Sequence, residues 1–209
     1  MSTPDPEDLT ARARIRDAAM RQFGEHGFER ATIRGIADAA GVSSGLVRHH
    51  FGSKQGLREA CDDFLVKGIR RLNDEVRRDA GRNYVAVART AFGPYQPYLA
   101  RALAEGAAAE VFDAMAELSA QWLAEADKKR PDPPAVPVKA RATVGTAMAL
   151  AVSVLREHVS RGLGVEVFSP AGDDLLARVL LDIYSHPWLS PEEAAALQAR
   201  LDTKEDNDD

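Results

Sequence analysis

The chain has 209 residues, of which 45% are hydrophobic and 28% charged, with a formal net charge of −5. That is enough apolar material for one mid-sized domain, or for a small unit joined to a larger one, and it excludes a disordered polypeptide. The longest uncharged run lies between Arg141 and Arg156, too short to span a bilayer, so no membrane segment is expected.

Residues 1–9, MSTPDPEDL, are expected to form a short disordered acidic tail. They carry neither a basic nor an apolar signal region, which fits a cytoplasmic protein. A first helix is expected from Thr10 to His26, with Ile15, Ala18, Ala19 and Phe23 on one face, closed by Gly27. Two short helices follow. Thr32 can cap the first, in which Ile33, Ile36, Ala37 and Ala40 recur at helical spacing. Gly41 supplies the left-handed residue that a sharp helix exit needs. Ser43 can cap the second, where Val47 and Phe51 face inward and leave Ser44, Gly45, Arg48 and His49 outward. A tight glycine turn between two short helices, the second with a small, polar and cationic face, matches a helix-turn-helix. Charge agrees, since residues 10–58 hold nine Lys/Arg against four acids, a surplus of +5 that leaves −10 on the rest.

From about Ala11 to Leu57 the chain resembles the DNA-binding domain of the tetracycline repressor (TetR) family of bacterial transcriptional regulators. The matching marks are Phe23, Gly27-Phe28, Thr32, Ile36-Ala37, Gly41-Val42-Ser43, His49, Phe51, Ser53-Lys54 and Leu57, in the family's order and spacing. Gly35 departs from the acidic residue usual there, and Arg48 and His50 from tyrosines, so the DNA contacts are this chain's own. The residues expected at double-stranded operator DNA are Thr32, Arg34, Ser43, Ser44, Gly45, Leu46, Arg48, His49, His50, Ser53 and Lys54. Ser53 and Lys54 suit a phosphate at a helix N-terminus, and Thr32 and Arg34 flank the groove. Arg48 has the fork for guanine O6 and N7, or else contacts a phosphate; Leu46 meets a thymine methyl or the core. His49 suits a phosphate. The adjacent His49 and His50 point about 100° apart on a helix, and no acid or Cys completes a metal site.

Gly52 marks a break, and Ser53 caps a long helix reaching about Asp79, with a stripe of Leu57, Cys61, Phe64, Leu65, Ile69, Leu72 and Val76. Cys61 is the only cysteine, which excludes an internal disulfide and reads as a small buried residue. Helical segments continue with YVAVARTAF from Tyr84, a helix started by Pro94 and Pro97, and one with Val111, Met115, Leu118 and Trp122 on a face. Arg130 to Pro137 holds four prolines and must be a loop. Val138 to Leu163 is apolar on two stripes and reads as one helix buried on nearly all sides. Ser169-Pro170 opens a helix with Leu176, Val179, Leu180 and Ile183 on one face, and Ser190-Pro191 opens a last short one.

The expected fold is all-α: an N-terminal three-helix helix-turn-helix domain (10–52), joined by a long helix to a helical domain for effector binding and dimerisation (53–202), with an acidic tail at 203–209. The resemblance implies a homodimer built on Val138–Leu163 and Leu175–Ser185. It also implies a small-molecule effector in a cavity for which Phe92, Tyr95, Tyr98, Phe112, Met115, Trp122, Met148, Arg156 and His158 are available. The reading is a DNA-binding regulator, a repressor of a near-palindromic operator released by an effector. One rival is a DNA-binding protein without an effector, architectural or partner-regulated; the remoter one is an all-α enzyme. No nucleophile motif, metal site or cofactor is expected, so no catalytic residue is named.

Overall fold

The computed structural model describes residues 6–79, 92–186 and 188–205, and among these the regular structure is entirely helical. The N-terminal helices are α1 (Pro6–His26), α2 (Ile33–Ala40), α3 (Ser44–Phe51) and α4 (Lys54–Arg78). Helix α1 begins ahead of the expected Thr10, at a proline whose missing N–H costs nothing in a first turn. The other boundaries follow their caps. Thr32 Oγ1 accepts from Gly35 N–H at 3.0 Å, Ser43 Oγ from Leu46 N–H at 3.1 Å and Ser53 Oγ from Gly56 N–H at 3.0 Å. Gly41 sits at φ 66°, ψ 41°, and Val42 N–H reaches back to Ala37 O at 3.0 Å, which satisfies a carbonyl left over at the end of α2.

The body holds a 3₁₀ turn (Gly93–Tyr95) leading into α5 (Gln96–Ala104), then α6 (Ala109–Asp127), α7 (Val138–Val154), α8 (Arg156–Leu163), α9 (Pro170–Ser185) and α10 (Pro191–Glu205). The helix expected over Tyr84–Phe92 falls, apart from Phe92, outside the described residues. One apolar core runs from the helix-turn-helix into the body. Ile15, Met20 and Phe23 of α1 meet Ile36, Val47 and Leu57, and the same cluster continues through Leu65, Leu99 and Val111 to Leu150. The three-helix unit and the body therefore share a buried seam.

The segment Val138–Leu163 is not one helix. It breaks at Leu155 with a bend of 76°. Neither Pro nor Gly stands at the break. Beyond it, Arg156 Nε donates to Glu166 Oε1 at 2.8 Å, and the same carboxylate accepts from Ser160 Oγ and Phe168 N–H at 3.3 Å each. That knot ties α8 back onto its own following loop, where Val167 is fully buried. Burial on nearly all sides is not found either. Ala142, Thr146 and Leu150 of α7 are buried, while Val144 is 59% and Met148 68% exposed. Helix α9 keeps Leu176, Val179 and Leu180 half-buried but exposes Ile183, Leu181 and Tyr184. Neither α9 nor α10 packs extensively on another described helix. Among the described residues no single helix is long and apolar enough to cross a membrane.

Candidate functional site

Helix α3 is pinned from behind by fully buried Val47, so the opposite side stands clear of the protein. Gly45, Arg48 and His49, at i, i+3 and i+4, are exposed there, with Ser44 half-buried beside them. Arg48 and His49 carry no ion pair among the described residues. Arg34 is exposed at the start of α2. The hydroxyls of Thr32, Ser43 and Ser53 are engaged as helix caps, so their first role is to fix the angles of α2, α3 and α4. Leu46 and His50 are half-buried. The His49 and His50 rings lie 5.4 Å apart, edge to face, and His50 Nε2 is buried without a hydrogen-bond partner among the described residues. If α3 enters a major groove and Arg48 reads guanine there, Arg48→Ala should cost about 1–3 kcal/mol in DNA affinity and relax the preference at one base pair per half-site. Equal loss on every sequence, in a titration of variant sites, would assign Arg48 to a phosphate.

Lys54 departs from expectation. Its ammonium points inward and donates to Phe28 O at 2.8 Å, Glu29 O at 3.2 Å and Ala31 O at 3.3 Å, and it lies 4.5 Å from the Phe28 ring centroid. Three donors thus meet three carbonyls of the turn between α1 and α2, and none is left for a phosphate. Lys54 braces the start of α4 against that turn. Arg58 lies over the same ring at 4.8 Å. Lys54→Ala should destabilise the chain by about 2 kcal/mol in urea unfolding, through carbonyls that lose a charged donor.

Behind the helix-turn-helix, the 3₁₀ turn and α5 join α1 and α4 through residues three apart. Tyr95 Oη donates to Asp17 Oδ1 at 3.3 Å, Tyr98 Oη to Asp62 Oδ1 at 2.5 Å, and Arg101 Nε to Gly24 O at 2.9 Å. A Cβ on Gly24 would lie 2.8 Å from Tyr98 N, so glycine is what lets the two backbones meet. Tyr95 and Tyr98 thus serve this joint. Burial pushes the Tyr98 hydroxyl up, and the Asp62 carboxylate adds to it. Burial also raises Asp62 above its ordinary 3.8, against the lowering effect of the Tyr98 hydrogen bond and Arg58. The neighbouring Cys61 thiol is pushed up by burial, which makes it an inert core residue. Sequence reasoning missed Asp17, Asp62 and Arg101. The one local signal was an acid, Asp62, next to the apolar stripe of α4.

A cleft of about 770 Å³ opens between α4, α6 and α7, floored by Val66, Phe112, Ala116 and Ala142. Of the residues expected at an effector, Phe112 lines it. Phe92 is packed against Gly68 of α4, where a Cβ would lie 2.7 Å from the ring. Met115 packs on the core. Trp122 donates from Nε1 to Asn73 Oδ1 at 2.8 Å under the Arg77 guanidinium, joining α6 to α4. Met148 and His158 face outward, and Arg156 is held by Glu166.

Residues 15–61 match the family model of the bacterial regulatory proteins, tetR family. Among curated proteins, the chain is 67% identical over 63 residues to the HTH-type transcriptional regulatory protein RaaS of Mycobacterium tuberculosis, a match covering 30% of this chain and 29% of the relative. The curated likeness therefore spans less than a third of that relative's length. Among solved structures, the fatty acid degradation regulator FadR from Bacillus halodurans superposes with a TM-score of 0.64 at 17% identity, covering 86% of this chain and 97% of that one. The TetR family protein CprB from Streptomyces coelicolor, solved with its operator sequence, gives a TM-score of 0.56 at 22% identity, covering 83% and 98%. Residues 15–61 thus match the bacterial regulatory proteins, tetR family, within a chain whose fold resembles those of FadR and CprB over 86% and 83% of its length.

Proposed function

We propose that the protein is a transcriptional regulator, a repressor that binds a near-palindromic operator as a homodimer and is released by a small-molecule effector. Residues 10–52 read the DNA, and 53–202 hold the effector and the partner subunit. The observation that carries this reading is the clear face of α3, with Arg48, His49 and Gly45 turned outward, beside a glycine turn whose two helices are each fixed by a side-chain cap. Such a face fits a major groove.

Dimerisation is supported by the apolar residues left exposed on α7 and α9, among them Val144, Met148, Leu181 and Tyr184. Large apolar side chains left in water on these helices suit a subunit interface, and two-fold pairing would supply two reading helices for two half-sites. Effector release is supported by the cleft, whose wall includes Val66 and Arg70 of α4, the helix that starts at the DNA module. Tight binding alone would change nothing. The effector must prefer the non-binding conformation, and a swing from 1:99 to 99:1 takes roughly 5.5 kcal/mol of differential affinity.

Selection of bound fragments from random DNA tests the reading in one step. The expected product is an inverted repeat with its half-sites one helical turn apart or a multiple of it. Recovery of single, unrepeated sites, or of no sequence preference at all, overturns it.

A further inference from the structure

The cleft between α4, α6 and α7 has a rim whose charge is not balanced. Four carboxylates, Asp63, Glu110, Asp113 and Glu117, line it against two cations, Arg70 and Lys139. Two of the four are already answered. Arg70 lies 3.6 Å from Glu117, and Asp63 holds Lys67 one turn along α4 at 2.5 Å. There remain Glu110 and Asp113, at i and i+3 on the first turns of α6, with Lys139, near the start of α7, the one cation lining the cleft among the described residues that is not already paired. None of these three has an ion pair among the described residues. The field of Glu110 also reaches inward: behind the effect of burial, it helps to raise the Asp62 carboxyl, and Glu59 acts the same way.

Below that rim the floor is apolar, and Phe112 offers a flat face. The volume of about 770 Å³ suits a small organic molecule. Among the described residues no three His, Cys, Asp or Glu side chains come together as a metal site, so a bare metal ion is not the fitting occupant.

We infer that the cleft takes an amphipathic organic cation, its apolar body on Phe112 and Val66 and its positive centre beside Glu110 and Asp113. An anion of the same shape would meet Lys139 alone, with two carboxylates against it. This assignment rests on reading the cleft as the effector site and adds the charge class of the effector.

Tetraphenylphosphonium and tetraphenylborate share one shape and differ in the sign of their charge, so they isolate the electrostatic claim. Calorimetric titration of the full chain should show the phosphonium binding at least about tenfold more tightly than the borate. Glu110→Gln combined with Asp113→Asn should erase that preference, with helicity by circular dichroism as the check on folding. Lys139→Glu should act oppositely and tighten phosphonium binding several-fold. Failure of the parent to bind the phosphonium, equal or tighter binding of the borate, or a preference that survives the double substitution would overturn the inference. Operator affinity is read separately by fluorescence anisotropy. If the phosphonium binds with these dependences yet leaves operator affinity unchanged, the charge assignment stands and the effector reading of the cleft falls.

Discussion

Met148→Glu should leave the chain folded and strip it of tight operator binding. The side chain is 68% exposed on α7, so a carboxylate there meets water in the single chain and costs the core nothing. In a dimer seamed along α7 and α9 the same carboxylate is buried against apolar side chains without a partner, a placement worth several kcal/mol. Loss of the dimer uncouples the two half-sites, and the second binding event no longer benefits from the first. Operator affinity should fall by about 10²–10⁴-fold, while affinity for an isolated half-site holds. Sedimentation should show the monomer, and circular dichroism an unchanged helix content. A variant that stays dimeric with full operator affinity removes this face of α7 from the seam.

Tyr98→Phe should be the most damaging of the isosteric changes, at about 3 kcal/mol of stability near neutral pH. Both partners of its hydrogen bond are buried, Tyr98 at 3% exposure and Asp62 at 9%. Without the hydroxyl, the carboxylate keeps the attraction of Arg58 and faces the repulsion of Glu110 and Glu59. The pH dependence follows from the direction of the Asp62 shift. Its folded value is raised above the ordinary 3.8, so the stability linked to its proton is fully present below that ordinary value. That stability is lost as pH rises through the folded value. The Tyr98→Phe penalty should therefore shrink on acidification. Asp62→Asn, which keeps an acceptor for Tyr98 and removes the charge, should raise the neutral-pH melting temperature, with a gain that fades over the same acid range. Thermal melts of both variants from neutral pH down to the ordinary aspartate range check the sign. A Tyr98→Phe penalty that grows towards acid would show that Asp62 is not the group responsible.

The parts of this fold that could be read from sequence are those whose physics is local. Thr32, Gly41, Ser43, Ser53 and Ser169 each act within three or four residues, through a cap or a left-handed exit, and the structure has each helix end where they stand. The stripe of α4 was legible because burial at helical spacing needs no knowledge of the partner. Lys54 was misjudged because its three acceptors lie 23 to 26 residues earlier in the chain. A lysine at a helix start looks the same whether it faces solvent or a carbonyl cluster. Tyr95 and Tyr98 failed as pocket residues for a related reason. Their partners Asp17 and Asp62 sit 78 and 36 residues away, and nothing near the tyrosines announces them. The bend at Leu155 was invisible too, since no residue that breaks helices stands there and the Arg156–Glu166 pair beyond it joins residues ten apart. Candidates for the cleft were sought among aromatic and methionine side chains together with Arg156 and His158, whereas its rim consists largely of other charged residues on helix faces that read as solvated surface.

The length of α4 sets a conversion between angle and distance. Its 25 residues span about 37 Å at the rise of an α-helix. A rotation of about 5° pivoting on the end near Arg78 therefore sweeps the end at Lys54 through about 3 Å, close to the spacing of successive base pairs. A side chain in the cleft beside Val66 or Arg70, much nearer the pivot, would move by roughly a third to a half of that arc over the same rotation. The helix is in this sense a lever with a fixed ratio: a displacement of about a bond length at the body becomes one of about 3 Å at the helix-turn-helix end.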